Sequence, residues 1–110
     1  MNTLERLQQY LLTAPVEGVS PGRVRRGTLS RIKCRDGESI SVQAGEYLYS
    51  DPRQDEGPWW KVECGFPSAQ PHPELMSYAE DKDKPLQTVY GYVPIEVVAD
   101  FIDLHGGFAE

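Results

Sequence analysis

Leucines near the start of the chain recur at the spacing of one helical face. They follow the i, i+3, i+7, i+8 pattern of an apolar stripe and are Leu4, Leu7, Leu11 and Leu12. Asn2 or Thr3 can cap the first turn, and Pro15 disfavours a helical residue ahead of it. The pattern therefore predicts an N-terminal helix that ends before Pro15.

A turn sequence, RDGE, lies between two strand-like stretches and predicts a β-hairpin over residues 24–44. A two-residue loop would pair Lys33 with Ile40 and place a charge on the apolar face. A three-residue loop with Gly37 in the left-handed region pairs Ile32 with Ile40 instead, which leaves one mostly apolar face. That register collects three cations on the opposite face and at its end: Arg31, Lys33 and Arg35.

Alternation of apolar and polar residues indicates a third strand at 59–66. One set of alternating positions is predicted to face the core: Trp60, Val62, Cys64 and Phe66. Whether Trp59 covers a loop or faces a partner stays open at this point. A fourth strand is expected at 87–93, with Gly91 as a bulge or a point of close backbone approach.

The last predicted element is a helix with Pro94 in its first turn. Its apolar stripe is Ile95, Val98, Phe101 and Ile102, and its polar positions are Glu96, Asp100 and Asp103. Gly106 and Gly107 supply the stop. His105, near the carboxyl end, complements the helix dipole when it is charged.

Two long polar connections remain, at 45–58 and 67–86. Loops of this length in a small domain are usually functional or mobile. The elements together predict an α+β fold: an N-terminal helix, a three- to four-stranded antiparallel sheet, a C-terminal helix and long loops. With 110 residues in all, we expect residues 1–110 to form a single domain.

The charged residues are distributed unevenly along the chain, with a basic N-terminal part and an acidic remainder. The first 45 residues carry seven Lys or Arg against four Asp or Glu, and the remaining 65 carry four against thirteen. The basic part is concentrated at six positions: Arg23, Arg25, Arg26, Arg31, Lys33 and Arg35. Such asymmetry predicts a charged partner, but the net charge of −6 disfavours direct binding to nucleic acid.

Candidate catalytic chemistry is sparse. The sequence lacks the phosphate-binding, dinucleotide-binding, zinc-protease and nucleophile-elbow motifs, so we predict no catalytic residue and no cofactor and lean against an enzyme. Cys34 and Cys64 are expected to be buried, reduced thiols. His72 acting with Glu74 or an acid of 51–56 stays as the acid–base alternative.

No metal site is predicted either. The two cysteines and two histidines lack the close pairs typical of structural zinc sites. The acids at 51–56 and 80–83 lack the ligand spacing of a calcium-binding loop.

The basic strand face, formed by Arg31, Lys33 and Arg35, is a candidate anion-binding site. It can bind a phosphate, a nucleotide or an acidic patch on a partner. The competing interpretation is that these three residues form ion pairs with the chain's own acids.

The acidic, aromatic loops are typical of a protein-recognition surface. Trp and Tyr dominate interface hot spots, and regularly spaced carboxylates can imitate nucleic-acid phosphates. The residues predicted to bind a partner are Asp55, Glu56, Trp59, Glu80, Asp81, Tyr47 and Tyr49. Opposed basic and acidic faces on one small body also allow a homodimer.

Several stretches of the chain resemble small uncharacterised proteins encoded by bacteriophages and prophages. They are KCRDGESISVQ from Lys33 to Gln43, then DPRQDEGPWWKVECGFPS, YAED and VYGYVPIEVVADFIDLHGG, and they cover roughly residues 30–107. The resemblance carries over no site residue. It implies a bacterial cytoplasm and action on a host protein, including counter-defence roles such as inhibition of CRISPR systems.

Two classes of function follow from these observations. The first is a phage-derived, non-enzymatic module that binds a host protein through its charged, aromatic loops. An inhibitor of a host defence protein is one example of this class. The second is binding of a small ligand or nucleotide by the basic strand face with Tyr47, Tyr49 and His72.

No apolar run approaches the roughly 20 residues of a membrane span, and the first 14 residues lack the features of a secretory signal. We therefore expect no membrane association and a cytoplasmic location.

Overall fold

A computed structural model describes residues 1–13, 16–17 and 28–109, with only the backbone described at 16, 17 and 28. Three arginines of the basic cluster, Arg23, Arg25 and Arg26, lie outside the described residues. The elements in chain order are α1 (Thr3–Thr13), β1 (Val16–Glu17), β2 (Thr28–Leu29), β3 (Ile32–Lys33), β4 (Ser39–Gln43), β5 (Lys61–Gly65), α2 (Pro73–Met76), β6 (Val89–Pro94) and α3 (Ile95–Leu104). The two terminal helices and the four-stranded antiparallel sheet confirm the predicted α+β fold.

The first helix forms where the leucine spacing predicts it. Asn2 caps the helix, since its side-chain oxygen Oδ1 accepts a hydrogen bond from the Glu5 N–H at 2.8 Å. Leu7 and Leu11 are fully buried in the core, whereas Leu12 is 53% exposed. One edge of the predicted stripe therefore faces solvent.

The hairpin of β3 and β4 has the three-residue register. Ile32 lies opposite Ile40. The Cys34 N–H donates to the Glu38 carbonyl at 2.8 Å, which closes the loop. Gly37 has a φ of +94°, a conformation that favours glycine, so the turn chemistry sets the register as predicted.

The predicted hairpin strand is interrupted after Leu29, and a side chain supplies the missing pairing. Gln43 accepts a hydrogen bond from the Leu29 N–H at 2.8 Å and donates one from Nε2 to the Leu29 carbonyl at 3.0 Å. The Gln43 amide therefore takes the place of a neighbouring peptide group. Through it, the short pair of β1 and β2 is attached to the main sheet.

The main sheet has the strand order β3-β4-β5-β6, and all its neighbours are antiparallel. Across β5 and β6, Cys64 lies opposite Tyr90, with a bulge just before this pair. Cys34 in the chain after β3 bridges Phe108, and Ala79 bridges Tyr90 on the other side of β6. Segments of the chain thus cover both edge strands at these positions, where an open edge would invite strand addition.

The closing helix buries the predicted stripe. Its four members, Ile95, Val98, Phe101 and Ile102, have no more than 1% of their surface exposed and belong to a single core cluster. Pro94 directly precedes the helix, and Gly106 and Gly107 end it with φ values of +91° and +88°. The His105 ring nitrogen Nδ1 lies 2.7 Å from Asp36 Oδ2, which ties the end of the helix to the hairpin turn.

The prediction for the tryptophan pair is wrong, because the two residues have exchanged environments. Trp59 is fully buried, and Trp60 is 62% exposed. The strand begins at Lys61, so the period-2 pattern does not extend back to the tryptophans. At its other end, Phe66 has a φ of +50°, which turns this side chain out to solvent instead of into the core.

The second long connection contains a short helix that the sequence reasoning missed. α2 starts with Pro73 at its first position and buries Leu75 in the core. Farther along, the Glu80 N–H donates to the Val89 carbonyl at 3.0 Å. This connection is therefore anchored along β6 and holds Glu80 next to the sheet.

Candidate protein-binding surface

Residues from both long connections meet at Glu63, in the middle of β5. We call this group the Tyr49–Glu63 surface and define it as Tyr49, Arg53, Glu63, Glu80 and Tyr92. The Tyr49 N–H donates to Glu63 Oε1 at 3.4 Å, and the Tyr92 N–H donates to the Tyr49 carbonyl at 2.9 Å. The charges of Glu80 and Arg53 also act on the Glu63 carboxylate. Two predicted partner-binding residues, Tyr49 and Glu80, thus lie on one surface.

The two tyrosines form an exposed aromatic pair. Their ring centroids are 5.7 Å apart with a 38° angle between the planes. Tyr49 is 41% exposed and Tyr92 is 43% exposed. Gly91 makes this arrangement fit, because a Cβ there would lie only 3.3 Å from the Tyr49 Cβ. The sequence predicted a bulge or a close backbone approach at Gly91: the bulge of β6 opposite Glu63 lies at Gly91 and Tyr92, and the approaching group is Tyr49.

Glu63 is the electrostatic centre of the surface. Burial raises the pKa of Glu63 and is the largest effect. The Tyr49 N–H lowers this pKa, the negative charge of Glu80 raises it, and Arg53 opposes Glu80. The guanidinium carbon of Arg53 lies 5.6 Å from the centre of the Tyr49 ring. Because the pKa of Glu63 is raised overall, its ionised form destabilises the folded protein unless a further cation binds nearby.

The remaining predicted partner-binding residues have different environments. Trp59 is fully buried, so it has no surface to offer a partner, and this assignment is corrected. Asp55 accepts a hydrogen bond from the Glu46 N–H at 2.9 Å and thereby shapes its own loop. Asp81 similarly accepts from the Asp83 N–H at 3.0 Å. Both Glu56 and Tyr47 are exposed, and their role as partner contacts stays a prediction.

Sequence reasoning missed three members of the surface: Arg53, Glu63 and Tyr92. Glu63 carried a usable signal, because it alternates with Val62 and Cys64 and so points away from the core. Tyr92 and Arg53 gave no such signal. The position of Arg53 depends on how a long loop lies across the sheet, and that of Tyr92 on the bulge in β6, where its φ is +51°. The local pattern determines neither.

The predicted anion-binding stripe is divided by the fold. Arg31 and Lys33 are aligned and exposed as predicted, and Arg31 donates from Nε to Ser39 Oγ at 3.1 Å and also to the Phe66 carbonyl. Together with Arg6 and Tyr10 they line a groove of about 430 Å³. Arg35 lies in a separate depression and donates to the Phe108 carbonyl at 3.3 Å. Arg6 of α1 lines both.

The titratable groups that nucleophilic or acid–base chemistry needs are poorly placed for it. Cys34 and Cys64 are buried, free thiols. Burial raises the pKa of Cys34 to about 11 and raises that of Cys64 further, which disfavours the reactive thiolate. Both ring nitrogens of His72 are buried without a hydrogen-bond partner in the described part of the chain. The pairing of His72 with Glu74 or an acid of 51–56 is therefore absent from the described residues.

Two further features are absent from residues 1–13, 16–17 and 28–109. No three His, Cys, Asp or Glu side chains there are grouped so as to hold a metal ion. No helix among the same residues is both long and apolar enough to cross a membrane.

No family model, curated protein or solved structure matches this chain. The function must accordingly be argued from the chemistry of the surfaces themselves.

Proposed function

We propose that this chain is a non-enzymatic protein-interaction module that binds a basic site on a partner protein through the Tyr49–Glu63 surface. The observation that carries the proposal is the half-buried Glu63, whose pKa is raised next to an exposed tyrosine pair. A carboxylate kept in such a place costs folding free energy unless a cation compensates it. A partner's Arg or Lys supplies that cation.

The chemistry of the surface favours arginine in the partner. A guanidinium can stack on a tyrosine ring and bind a carboxylate with two parallel hydrogen bonds, which an ammonium group cannot do. The position of Arg53 near the Tyr49 ring supports this geometry within the chain itself. Tyrosine, tryptophan and arginine are also the residues that dominate interface hot spots.

The charge of the chain and the resemblance of residues 30–107 to phage-encoded proteins support a host protein as the partner. The part of the chain after residue 45 carries nine excess negative charges. Host defence proteins that bind nucleic acid present basic grooves, which such a surface can occupy. We therefore propose a bacterial cytoplasmic setting in which binding blocks a host defence protein, in the manner of a CRISPR inhibitor.

Affinity capture from bacterial lysate at low and high salt tests the proposal. The wild-type chain should retain one host protein, with retention falling as salt rises. Tyr49→Ala should weaken capture about 30-fold, the effect of losing a hot-spot residue. The matched control is Glu74→Gln, an exposed acid on α2 outside the surface, which should capture normally. Equal capture by wild type, Tyr49→Ala and Glu80→Lys would refute the assignment of the surface.

A second candidate, binding of a small anion, rests on the groove that Arg6, Arg31 and Lys33 line together with Tyr10. Three cations around one groove can hold a phosphate group, and the tyrosine offers a ring for a base. A thermal-shift assay with inorganic phosphate and ATP tests it. Stabilisation that disappears in the double variant Arg31→Ala with Lys33→Ala supports this function, and no shift with either compound refutes it.

A further inference from the structure

A second surface, away from Glu63, has an apolar floor and acidic edges. It is a groove of about 520 Å³ between α1, the residue before β5 and the start of α3. Its apolar lining is Leu4, Leu12, Trp60 and Ile95, and its charged lining is Glu5 and Glu96. No Lys, Arg or His lines the groove among the described residues.

The exposure of Trp60 in this groove is built into the fold. Its N–H donates to the Asp51 carbonyl at 2.8 Å, and its carbonyl accepts from the Ile95 N–H at 2.9 Å. Gln8 on α1 donates to the neighbouring Trp59 carbonyl at 2.7 Å, so the helix and this backbone are fastened together. The indole of Trp60 is therefore held out to solvent on a backbone with its hydrogen bonds satisfied on both sides.

The groove has the length of a short helix. Leu4, Gln8 and Leu12 recur at four-residue spacing along one side of α1, and eight residues of helix rise about 12 Å. An apolar groove of this length accommodates two to three turns of an amphipathic helix, whose apolar positions at i, i+3, i+4 and i+7 enter it. Trp60, 62% exposed, supplies the large aromatic contact typical of such sites.

Charge complementarity identifies the occupant. Glu5 lines the groove from α1 and Glu96 lines it from α3, and the exposed Asp100 follows Glu96 by one turn. The last turn of α1, which ends beside the groove at Thr13, has no basic residue to offset its carbonyl groups. We propose that this Leu12–Trp60 groove binds an amphipathic helix of a protein partner whose polar edges carry Lys or Arg. The site is independent of the Tyr49–Glu63 surface.

The test uses a defined probe, a 14-residue peptide of leucine and lysine with its leucines on one helical face. The peptide lacks tryptophan, so the fluorescence titration reports on the protein. Binding should shift the emission of Trp60 to shorter wavelength and saturate. The same peptide with glutamate in place of lysine should produce no shift.

Variants then locate the binding. Leu12→Asp should abolish the shift, and Trp60→Ser should remove its signal. Glu5→Gln and Glu96→Gln should each weaken binding about threefold at low salt, as expected for exposed charge pairs. Glu74→Gln, an exposed acid on α2 that belongs to neither surface, is the control and should bind the peptide as the wild type does. The neutralisations of Glu5 and Glu96 keep the test decisive if Leu12→Asp lowers the melting temperature.

Three results would overturn the proposal. The first is peptide binding of unchanged affinity in both Leu12→Asp and the double neutralisation of Glu5 and Glu96. The second is a Trp60 emission that shifts with protein concentration as dimers form in sedimentation, which would assign the groove to a second copy of the chain. The third is a Trp60 emission, taken as the difference between wild type and Trp60→Ser because Trp59 is buried, that is typical of a buried indole in the free monomer at every concentration.

Discussion

The Gln43 side chain provides the sharpest test of the fold, because it makes the hydrogen bonds to Leu29 that a neighbouring strand would otherwise make. Its amide accepts from the Leu29 N–H and donates to the Leu29 carbonyl, at 2.8 and 3.0 Å, and a further hydrogen bond joins Nε2 to Ser41 Oγ at 3.0 Å. Both Gln43 and Leu29 are buried. Replacement by leucine keeps most of the volume but leaves both backbone groups of Leu29 without partners.

The expected cost follows from the number of lost hydrogen bonds. An unsatisfied buried polar group costs about 1–3 kcal/mol, and leucine recovers part of this through its apolar surface, so Gln43→Leu should lower the free energy of unfolding by about 2–4 kcal/mol. For a domain of this size, an unfolding entropy of about 0.23 kcal/mol/K converts that loss into a fall in Tm of roughly 9–17 °C. Calorimetry and urea unfolding measure both quantities.

Gln43→Glu is the matched control variant. Its carboxylate can still accept from the Leu29 N–H, but only its protonated form can donate to the Leu29 carbonyl. The folded state should therefore raise the pKa of the introduced carboxyl, so the variant's stability should be closest to wild type at acid pH and should be lost as the pH rises through that pKa. A loss below about 0.5 kcal/mol for Gln43→Leu, within the range of ordinary surface substitutions, together with no pH dependence for Gln43→Glu, would refute the role assigned to Gln43.

Three further predictions concern titratable and buried groups. Because the folded state raises the pKa of Glu63, its ionisation opposes folding, so Glu63→Gln should be more stable than wild type at pH 7 and equal to it at pH 3 in urea unfolding; the same difference at both pH values would contradict this. Cys34 and Cys64 should resist a thiol reagent such as DTNB in the native protein and react fully after denaturation; rapid labelling of the native protein would contradict their burial. The free energy of unfolding should also fall between about pH 9 and pH 11, because the unfolded chain releases the Cys34 proton at a lower pH than the folded protein does. His72→Phe should raise the free energy of unfolding by about 1–3 kcal/mol, because both ring nitrogens are buried without a hydrogen-bond partner among the described residues. A variant less stable than wild type would contradict this.

The parts of the fold that could be predicted were those in which local chemistry decides the outcome. The hairpin register followed from Gly37 and the alternation around it, and α3 followed from its apolar stripe and its terminal glycines. The tryptophan pair could not be assigned in this way. The strand begins only at Lys61, so the alternation that correctly buries Val62 and Cys64 does not apply to the tryptophans, and the Trp59 backbone is instead bound by Gln8 of α1.

The sequence predicted which types of residue form the candidate surface, but not which of them lie together. Exposed tyrosines and acids in two long loops suggested recognition, and Tyr49 and Glu80 do lie together. Their meeting at Glu63 depends on hydrogen bonds between residues far apart in the chain, such as that from Tyr92 to Tyr49. No local pattern determines such contacts, so Arg53 and Tyr92 were missed.

The most direct test of the central claim is the affinity of Glu63→Gln for the captured partner, measured by isothermal titration calorimetry beside its own thermal melt. Because removal of this charge should stabilise the free protein, a loss of binding cannot be attributed to misfolding. We predict that binding weakens at least tenfold while Tm stays the same or rises, as expected for a desolvated charge that a partner compensates. Unchanged affinity in the folded variant would contradict the Tyr49–Glu63 surface as the binding site.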